Sequence, residues 1–300
     1  MFQLVPETHI NFVGIRKYTY LLSGALLVAT IIAFVARGGP RLGVDFTGGT
    51  VIEVSLTPKG SSEQIRRALS DANLGRAEIQ SVGTEGQYLF RFKQAGGEDP
   101  FPLIREAIKR EMPGTRVELL RAETVGPKIG KELRNKAIWA GLFAMGGILV
   151  YVGLRYEFII AVGAVIALFY NVGVVVGIIT LLGTELTLTV LAALLTIAGY
   201  SINDTIVIFD RIREQSRLLR RESMRDVINL SVNQTLGRTA ITGTSVILTL
   251  IALLGWGGEV IRDFAFTMLL GVIIGTYCSI FVASSLALDI RGPEAKGMRR

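Results

Sequence analysis

Charged side chains are scarce in this 300-residue chain, where Asp, Glu, Lys and Arg together make up 19% of the residues. Soluble domains carry about a quarter charged residues. Hydrophobic residues make up 50% of the chain, and the mean hydropathy is +0.48. This composition excludes an ordinary soluble protein and predicts an integral membrane protein.

Histidine and cysteine are nearly absent, with only His9 and Cys278. A transition-metal site needs several such ligands, so we predict no metal. Cys278 lies in an apolar segment, where we expect it to pack, and it cannot form an internal disulfide. The glycine pair in GVDFTGGT lacks the Lys-Ser/Thr of a phosphate loop, so we predict no nucleotide cofactor and no enzyme.

Uncharged segments long enough to cross a membrane occur six times. A helix rises about 1.5 Å per residue, so about 20 residues cross a hydrocarbon core of about 30 Å. Arg16 and Lys17 precede the first segment, and no small-residue cleavage site follows it, so we predict an uncleaved anchor. The six predicted transmembrane helices are residues 18–36, 137–154, 158–183, 186–209, 239–258 and 264–288.

The basic residues of the connecting segments predict the orientation of these helices. Segment 210–238 carries seven Lys or Arg residues and the tail 289–300 carries four, whereas the turns on the opposite side carry only Arg262. The positive-inside rule therefore predicts that both termini (1–17 and 289–300) and segment 210–238 are cytoplasmic. This topology and attraction to anionic membrane lipids explain the net charge of +7, and no recognition motif suggests nucleic-acid binding.

Segment 37–136 has the patterns of one α+β domain, which the same rule places outside the cytoplasm. Strand-like alternation covers 44–56, 77–82, 87–93 and 115–122, and helix-like periodicity covers 61–73 and 100–112. Ser61 or Ser62 is predicted to cap the first of these helices. The order is βαββαβ, so we predict a ferredoxin-like extracytoplasmic domain.

Polar residues inside the fourth transmembrane segment form the candidate functional site. Thr196, Gly199, Tyr200 and Asn203 follow at helical spacing and share one face, with Asp204 at its edge. A charged side chain deep in a membrane costs about 2.5–3.5 kcal/mol, so Asp204 is expected to line a path or to pair with a partner. Two simpler interpretations stay open, namely solvation of Asp204 at the inner interface and a purely structural salt bridge.

Arg238, at the start of the fifth segment, is the candidate cation for Asp204, and Thr242 continues its helix face. Burial favours the neutral form of a carboxyl group and a nearby cation favours the ionised form, so such a pair can load and release a proton. Asn171 in the third segment is a further candidate for a polar path. The alternative for Arg238 is ordinary snorkelling to the headgroups.

Small residues recur every four positions in the sixth segment. Thr267, Gly271, Gly275 and Ser279 form a ridge on one helix face. Such ridges let two helices approach closely, so we predict a helix-packing role for this face.

Four motifs carry a family resemblance: GVDFTGGT after the first segment, VGPKIGKEL before the second, GYSINDTIVIFDRIRE in the fourth, and SVNQTLGRTAITGTSVILTL into the fifth. In this order and spacing, the chain from about Asn11 to Asp289 resembles the SecF branch of the SecD/SecF family of the bacterial Sec protein-export machinery. SecD subunits carry a much larger outer domain than 37–136, so the SecF branch fits better.

The resemblance implies a fold of the resistance-nodulation-division type, in which six helices of this chain pair with six of a SecD subunit. It implies a place in the bacterial cytoplasmic membrane beside the SecYEG channel, where the complex helps to pull a preprotein that the SecA motor has pushed. Proton flow would drive this movement, with protons as the coupling ion. The family's fourth-helix Asp falls on Asp204, next to Asn203, and its fifth-helix Arg on Arg238.

Asp45, Gly48 and Gly49 of the DFTGG motif are candidates for the joint that carries motion to the outer domain, because glycine tolerates unusual torsions. A plain tight turn or a cap is the alternative. Two other function classes stay open: a proton-coupled small-molecule exporter acting as a homodimer, and a structural scaffold of the translocon without proton coupling.

Overall fold

The computed structural model describes residues 8–72, 74, 77–81, 86–92, 100–156 and 158–291. The chain divides into an α+β unit, Leu42–Ile138, and a membrane unit that comprises the chain up to Arg41 and from Trp139 onward. The helices and strands, in chain order, are α1 (Arg16–Arg37), α2 (Val44–Thr47), β1 (Gly49–Thr57), α3 (Ser62–Asp71), β2 (Glu78–Ser81), β3 (Gln87–Phe92), α4 (Phe101–Glu111), β4 (Arg116–Val125), α5 (Pro127–Arg155), α6 (Phe158–Leu182), α7 (Leu188–Leu218), α8 (Met224–Trp256), α9 (Glu259–Tyr277), a π-helical segment (Cys278–Ala283) and α10 (Ser284–Arg291).

The α+β unit has the predicted βαββαβ order. Its antiparallel sheet has the strand order β2-β3-β1-β4. Strand β1 lies in the middle, and its residues Ile52, Val54 and Leu56 pack with residues of α3 and α4 in one core. Ser61 accepts a hydrogen bond from the Gln64 N–H, and the Gln64 side chain accepts one from the Ser61 N–H, so a capping box starts α3 as predicted. The ferredoxin-like fold class is confirmed.

The first strand of this unit begins later than predicted. Residues Val44–Thr47 form the short helix α2, and β1 starts only at Gly49, so the expected strand over 44–56 is wrong at its beginning. The reason is the backbone of Gly48 and Gly49, whose φ angles are 74° and 128°. These left-handed values break regular structure between the helix and the strand. The predicted ends of the second and third strands, residues 82 and 93, lie outside the described residues.

The described part of the membrane unit contains six helical stretches long and apolar enough to cross a membrane, which confirms the predicted number. The helices extend beyond several predicted limits. Helix α5 begins at Pro127, ten residues before the predicted 137, and the sixth stretch begins at α9 and continues through the π-helical segment into α10. The predicted tail 289–300 lies beyond the described residues after Arg291.

Segment 210–238, predicted as a loop, is mostly helical. Helix α7 continues to Leu218 and α8 begins at Met224, so the connection comprises only residues 219–223. The helices continue because buried residues recur at helical spacing between the arginines; these include Ile212, Gln215, Ser216, Val227, Ile228 and Val232. Segment 210–238 is therefore amphipathic, and its many charged residues led to the incorrect prediction of a loop.

Candidate functional site

Asp204 lies in the interior of the membrane unit. Its side chain is on the buried face of α7, and the residue is 4% exposed. The carboxylate atom Oδ2 has no hydrogen-bond partner among the described residues. Burial disfavours the interpretation of Asp204 as a solvated residue at the interface, because a solvated carboxylate would be open to water.

Tyr200 lies one helical turn before Asp204. Its hydroxyl is close to the side chains of Asp204 and Thr242, and a Cβ on Gly243 of α8 would lie 3.8 Å from it. The hydroxyl is buried and has no hydrogen bond of normal geometry within the described chain. Two polar groups, the Tyr200 hydroxyl and the Asp204 carboxyl, therefore lie near each other with unused hydrogen-bonding capacity.

Asn171 and Thr267 add two further buried polar groups. Both residues are 0% exposed. The Asn171 amide nitrogen donates to the Gly271 carbonyl at 3.5 Å, a long hydrogen bond, while its Oδ1 and the Thr267 hydroxyl have no partner among the described residues. Buried groups of this kind usually bond to protein or to ordered water. In the described part of the chain, no group of three or more His, Cys, Asp or Glu could hold a metal ion.

A hydroxyl cluster joins α7 to the π-helical segment next to Asp204. The hydroxyls of Thr205 and Ser279 lie 2.9 Å apart, and Ser279 also donates to the Ser201 carbonyl at 3.3 Å. All three residues are buried. π-helical turns occur frequently at functional sites. The π-helical turn places the Ser279 hydroxyl next to Thr205, the residue that follows Asp204 in the chain.

The small residues of α9 lie at close contacts with neighbouring helices. A Cβ on Gly271 would overlap the Ile197 side chain of α7. A Cβ on Gly275 would lie 2.8 Å from the Asn171 amide nitrogen and 3.3 Å from Ser201. Helix α9 therefore contacts α6 and α7 through positions that cannot accommodate a larger side chain.

The other residues of the predicted site on α7 and α8 lie on the outside of the membrane unit. Asn203, Thr196 and Gly199 of α7 are exposed, as are Arg238 and Thr242 of α8. The Thr196 hydroxyl donates to the Ala192 carbonyl and the Thr242 hydroxyl to the Arg238 carbonyl, within their own helices. Within the described chain Arg238 makes no ion pair with Asp204, because Asp204 faces the interior and Arg238 the exterior. The structure does not bring these two residues together.

The DFTGG residues form a packed junction in the α+β unit. Gly48 ends α2, and Asp45 lies in the first turn of that helix. A Cβ on Gly48 would lie 2.8 Å from the Pro127 Cα, and a Cβ on Gly130 would lie 2.8 Å from the Gly48 nitrogen. The two motifs DFTGGT and VGPKIGKEL therefore meet backbone to backbone at the start of α5.

Sequence reasoning did not find Ser201, Thr205 or Gly130. Ser201 and Thr205 are four residues apart and share the buried helix face with Asp204, but the other buried residues of that face are mostly apolar, so no polar stripe was recognised there. Gly130 was noted only as one residue of the motif VGPKIGKEL. The partners of these residues lie 74 to 82 positions away in sequence, so no local spacing could reveal them.

The fold and the site define a class: an integral membrane protein with six apolar helices and one ferredoxin-like domain, and with a buried carboxyl group in its fourth membrane helix. Two family models match the sequence. One describes the C-terminal region of the protein export membrane proteins SecD and SecF and covers residues 105–292, and the other describes the SecD/SecF GG motif and covers residues 33–59. The chain belongs to the SecD/SecF family.

Individual relatives agree with this assignment. A protein translocase subunit SecF of Calditerrivibrio nitroreducens is 39% identical over 290 residues, 95% of each chain. One from Vibrio alginolyticus is 40% identical over 294 residues, 97% of this chain and 93% of the relative. The crystal structure of SecDF, a translocon-associated membrane protein from Thermus thermophilus, matches with a TM-score of 0.84 and 37% identity; the match covers 95% of this chain and 39% of the SecDF chain. This chain is a translocase subunit of the SecF type with a role in protein translocation, and not an enzyme.

Proposed function

We propose that this chain works with a SecD subunit to couple the proton gradient to late steps of protein translocation. The partner is a six-helix subunit of the SecD type, and the substrate is a preprotein that leaves the SecYEG channel after SecA has acted. The complex lies in the bacterial cytoplasmic membrane, with both termini of this chain in the cytoplasm. The seven Lys or Arg residues of segment 210–238 support that orientation.

The observation that carries the proposal is the buried Asp204 carboxyl group. It lies in a membrane helix, is 4% exposed and has an oxygen without a hydrogen-bond partner in the described chain. A buried carboxylate oxygen without a hydrogen-bond partner contributes no bond to the fold, and intramembrane carboxyls commonly line ion or proton paths. Tyr200, Asn171 and Thr267 supply further unsatisfied polar atoms in the same unit, to which water can bind.

The exposed polar residues of α7 and α8 support a second subunit. Asn203 and Arg238 are exposed on helices that cross the membrane. A polar or charged side chain does not remain in contact with lipid tails without a large cost, so a partner is expected to cover it. The name of the similar protein SecDF combines SecD and SecF, and the match to this chain covers 39% of the SecDF chain. A SecD subunit therefore fits as the cover, and it would bring Arg238 into a protein interior.

The coupling step follows from the charge of Asp204. A proton that binds the carboxylate removes its charge, which changes the interaction of Asp204 with Tyr200 and with the covering subunit. The two six-helix halves then rearrange, and release of the proton on the other side restores the first state. Movement of one charge across the membrane supplies about 2.3 kcal/mol per 100 mV. That energy changes a two-state equilibrium more than tenfold.

The joint that carries this motion is better placed at Gly38 and Gly39 than at the DFTGG motif. Gly38 and Gly39 follow α1 with φ angles of 70° and 98°, and nothing lies within 4 Å of a Cβ on either. Gly48, in contrast, is packed against Pro127 and Gly130. The N–H groups of Gly38 and Gly39 donate to the Phe34 carbonyl at the end of α1. Torsional changes there would disturb these two hydrogen bonds, whereas a change at Gly48 would disturb its close backbone contacts with Pro127 and Gly130.

Export in sealed vesicles tests the proposal. The vesicles hold this chain, its SecD partner, the channel and the SecA motor, and preprotein export is measured with and without an imposed proton gradient. Asp204→Asn keeps the size of the side chain but cannot release a proton, so we expect normal assembly by co-purification and loss of the gradient-dependent part of export. Asp71→Asn changes an exposed carboxylate of the α+β unit and serves as the matched control.

Two results would refute the proposal. If complexes with Asp204→Asn assemble and respond to the gradient as well as the unchanged protein, Asp204 is structural and the chain is a scaffold. If the chain alone moves protons with a small-molecule substrate and needs no SecD partner, it is a homodimeric exporter.

A further inference from the structure

Strand β4 forms one edge of the sheet in the α+β unit. It has ten residues, and among the described strands it pairs only with β1. The strand at the opposite edge, β2, has only four residues. The outer side of an edge strand carries backbone N–H and carbonyl groups that pair readily with another strand, and natural proteins usually keep such edges short or covered. Strand β4 is therefore a long site for the addition of a further strand.

Apolar side chains are exposed along this edge. Leu119 and Leu120, at the middle of β4, are 42% and 45% exposed. Beside them, α4 and the first half of β4 line an open groove that includes Phe101 and Val117. Val117 packs in the core with residues of α3 and α4, so the groove lies on the helix-covered face of the sheet. Side chains alternate between the two faces of a strand, so every second residue of an added strand would enter the groove.

The charged residues of β4 all lie on the face of the sheet opposite α3 and α4. They are Arg116, Glu118, Arg121 and Glu123. The β1 residues paired with them are Thr57, Ser55, Glu53 and Val51, which alternate with the core residues Ile52, Val54 and Leu56. The register shifts at Leu120, which has no partner residue in β1, so the even-numbered charges before it and the odd-numbered charges after it share one face. Along this face the charges alternate in sign.

This order of charges makes β4 complementary to itself. In an antiparallel pair of β4 strands with Leu119 opposite Leu120, each charged residue stands opposite one of the other sign. The pairs are Arg116 with Glu123 and Glu118 with Arg121, and two-fold symmetry forms each pair twice. A shift of two residues in either direction sets Arg116 opposite Arg121 or Glu118 opposite Glu123. Opposite charges across a strand pair stabilise it and like charges destabilise it, so the match favours one register.

In the single chain the same charges pair along the strand. An Arg116 guanidinium nitrogen lies 2.7 Å from a Glu118 carboxylate oxygen, and the distance between Arg121 and Glu123 is also 2.7 Å. A guanidinium carries five N–H donors, so each arginine can keep its neighbour and bind a second carboxylate across the strand pair. Pairing of two β4 strands would therefore add ion pairs without breaking those already present.

We propose that β4 pairs antiparallel with β4 of a second copy of this chain and joins the two four-stranded sheets into one. Ala122 lies opposite the core residue Ile52, so it is on the helix-covered face and would extend over the groove of the other copy beside Val117. A preprotein segment has no fixed sequence that could match these charges, and a lipid surface has no strand to add. The inference goes beyond the proposed function, and it uses other residues than those of α7 and α8 proposed to contact SecD.

Disulfide formation between two differently tagged copies of the full chain in membranes tests the register. Arg116→Cys in one copy and Glu123→Cys in the other would stand directly opposite, so we expect a linked pair that carries both tags. Arg116→Cys in both copies is the matched control, because those positions would lie seven residues apart, about 23 Å, and the linked fraction should be at least about tenfold lower. The native Cys278 is buried and should not interfere.

An exchange of charges tests the cause of the pairing. Arg116→Glu with Arg121→Glu makes all four charges of β4 acidic, and Glu118→Arg with Glu123→Arg makes all four basic. In each variant every opposed pair has like charges, so co-purification of the two tags should fall about tenfold. A mixture of the acidic and the basic variant should recover it, because every opposed pair then has opposite charges.

The control for net charge is Arg66→Glu with Arg110→Glu, two exposed residues of α3 and α4, which should leave co-purification unchanged. The pairing is refuted if the acidic and basic variants, with protease resistance intact, each associate as the unchanged chain does, or if their mixture fails to recover association. If Glu123→Cys links only to the SecD subunit or to preprotein, that chain occupies the edge and the proposal is wrong. All measurements are made without a proton gradient, so they do not depend on the coupling role of Asp204.

Discussion

Gly130 and Gly48 pack so closely that a Cβ on Gly130 would lie 2.8 Å from the Gly48 backbone nitrogen. Gly48 precedes β1, and Gly130 lies in the first turn of α5. The contact fixes the start of α5 to the sheet of the α+β unit. Since α5 continues without a break to Arg155, the same helix belongs to this junction and to the second membrane span.

Gly130→Ala should loosen this junction. The added methyl group must displace backbone atoms rather than a flexible side chain, so we expect a loss of about 1–3 kcal/mol in the stability of the α+β unit. Limited proteolysis of the full chain in detergent measures it as faster cleavage within 42–138. Gly126→Ala, four residues earlier, is the control, because no atom lies within 4 Å of a Cβ there. Equal protease resistance of the two variants would show that the contact is not tight.

The sequence predicted which helices and strands exist better than it predicted the residues at which they begin and end. The six spans and the βαββαβ order follow from long apolar segments and from alternation, which are local properties. The end of α7 and the start of α8 were not predicted as helix, because the charged residues on their exposed faces give the segment the composition of a loop. Their buried positions, such as Ile212 and Val227, carry the helical signal.

The site was predictable only in part. The buried position of Asp204 follows from a carboxylate within an apolar segment, and that signal is strong. The separation of Arg238 from Asp204 was not predictable, because helical spacing fixes the face on which a residue lies but not what that face contacts. The contact of Ser279 with Thr205 depends on a π-helical turn, which the amino-acid composition of the segment does not indicate.

Gly271→Ala should weaken the packing of α9 on α7, since the new methyl group would overlap Ile197. We expect a loss of about 1–3 kcal/mol, seen as a lower midpoint of thermal unfolding in detergent. Ile197→Ala combined with Gly271→Ala should recover part of the loss relative to the sum of the single changes. Gly173→Ala is the control, with no neighbour within 4 Å of its Cβ. Additive losses would argue against direct contact of the two side chains.

The hydroxyl pair of Thr205 and Ser279 should show a measurable coupling. Removal of both hydroxyls, as Thr205→Val with Ser279→Ala, is expected to cost less than the sum of the single changes by about 0.5–1 kcal/mol, which is typical of hydrogen bonds between membrane helices. The unfolding midpoints of the four proteins complete the cycle. Thr249→Val is a suitable control, because the Thr249 hydroxyl is exposed and bonds only to its own helix. A coupling near zero would mean that the 2.9 Å contact contributes nothing.

The amino-terminal segment should detach from α8 when its two asparagines are changed. Asn233 accepts from the Ile10 N–H and donates to the Ile10 carbonyl, while Asn229 accepts from the Val13 N–H and donates to the Asn11 side chain. Each Asn→Ala change removes two hydrogen bonds to the amino-terminal segment, each worth about 0.5–1.5 kcal/mol. Hydrogen exchange of the two amides should therefore accelerate about tenfold.

Separate variants identify which amide depends on which asparagine. Asn233→Ala should affect Ile10 first, and Asn229→Ala should affect Val13 first. Asn229→Asp keeps an acceptor for the Val13 N–H but loses the donor to Asn11, so Val13 should stay protected in that variant. Ile241→Ala, an exposed position of the same helix outside the cavity that Ile10 and Asn11 line, should leave both amides unchanged. If Asn229→Ala and Ile241→Ala give the same exchange rates, the burial of Phe12 and Val13 alone holds the segment in place.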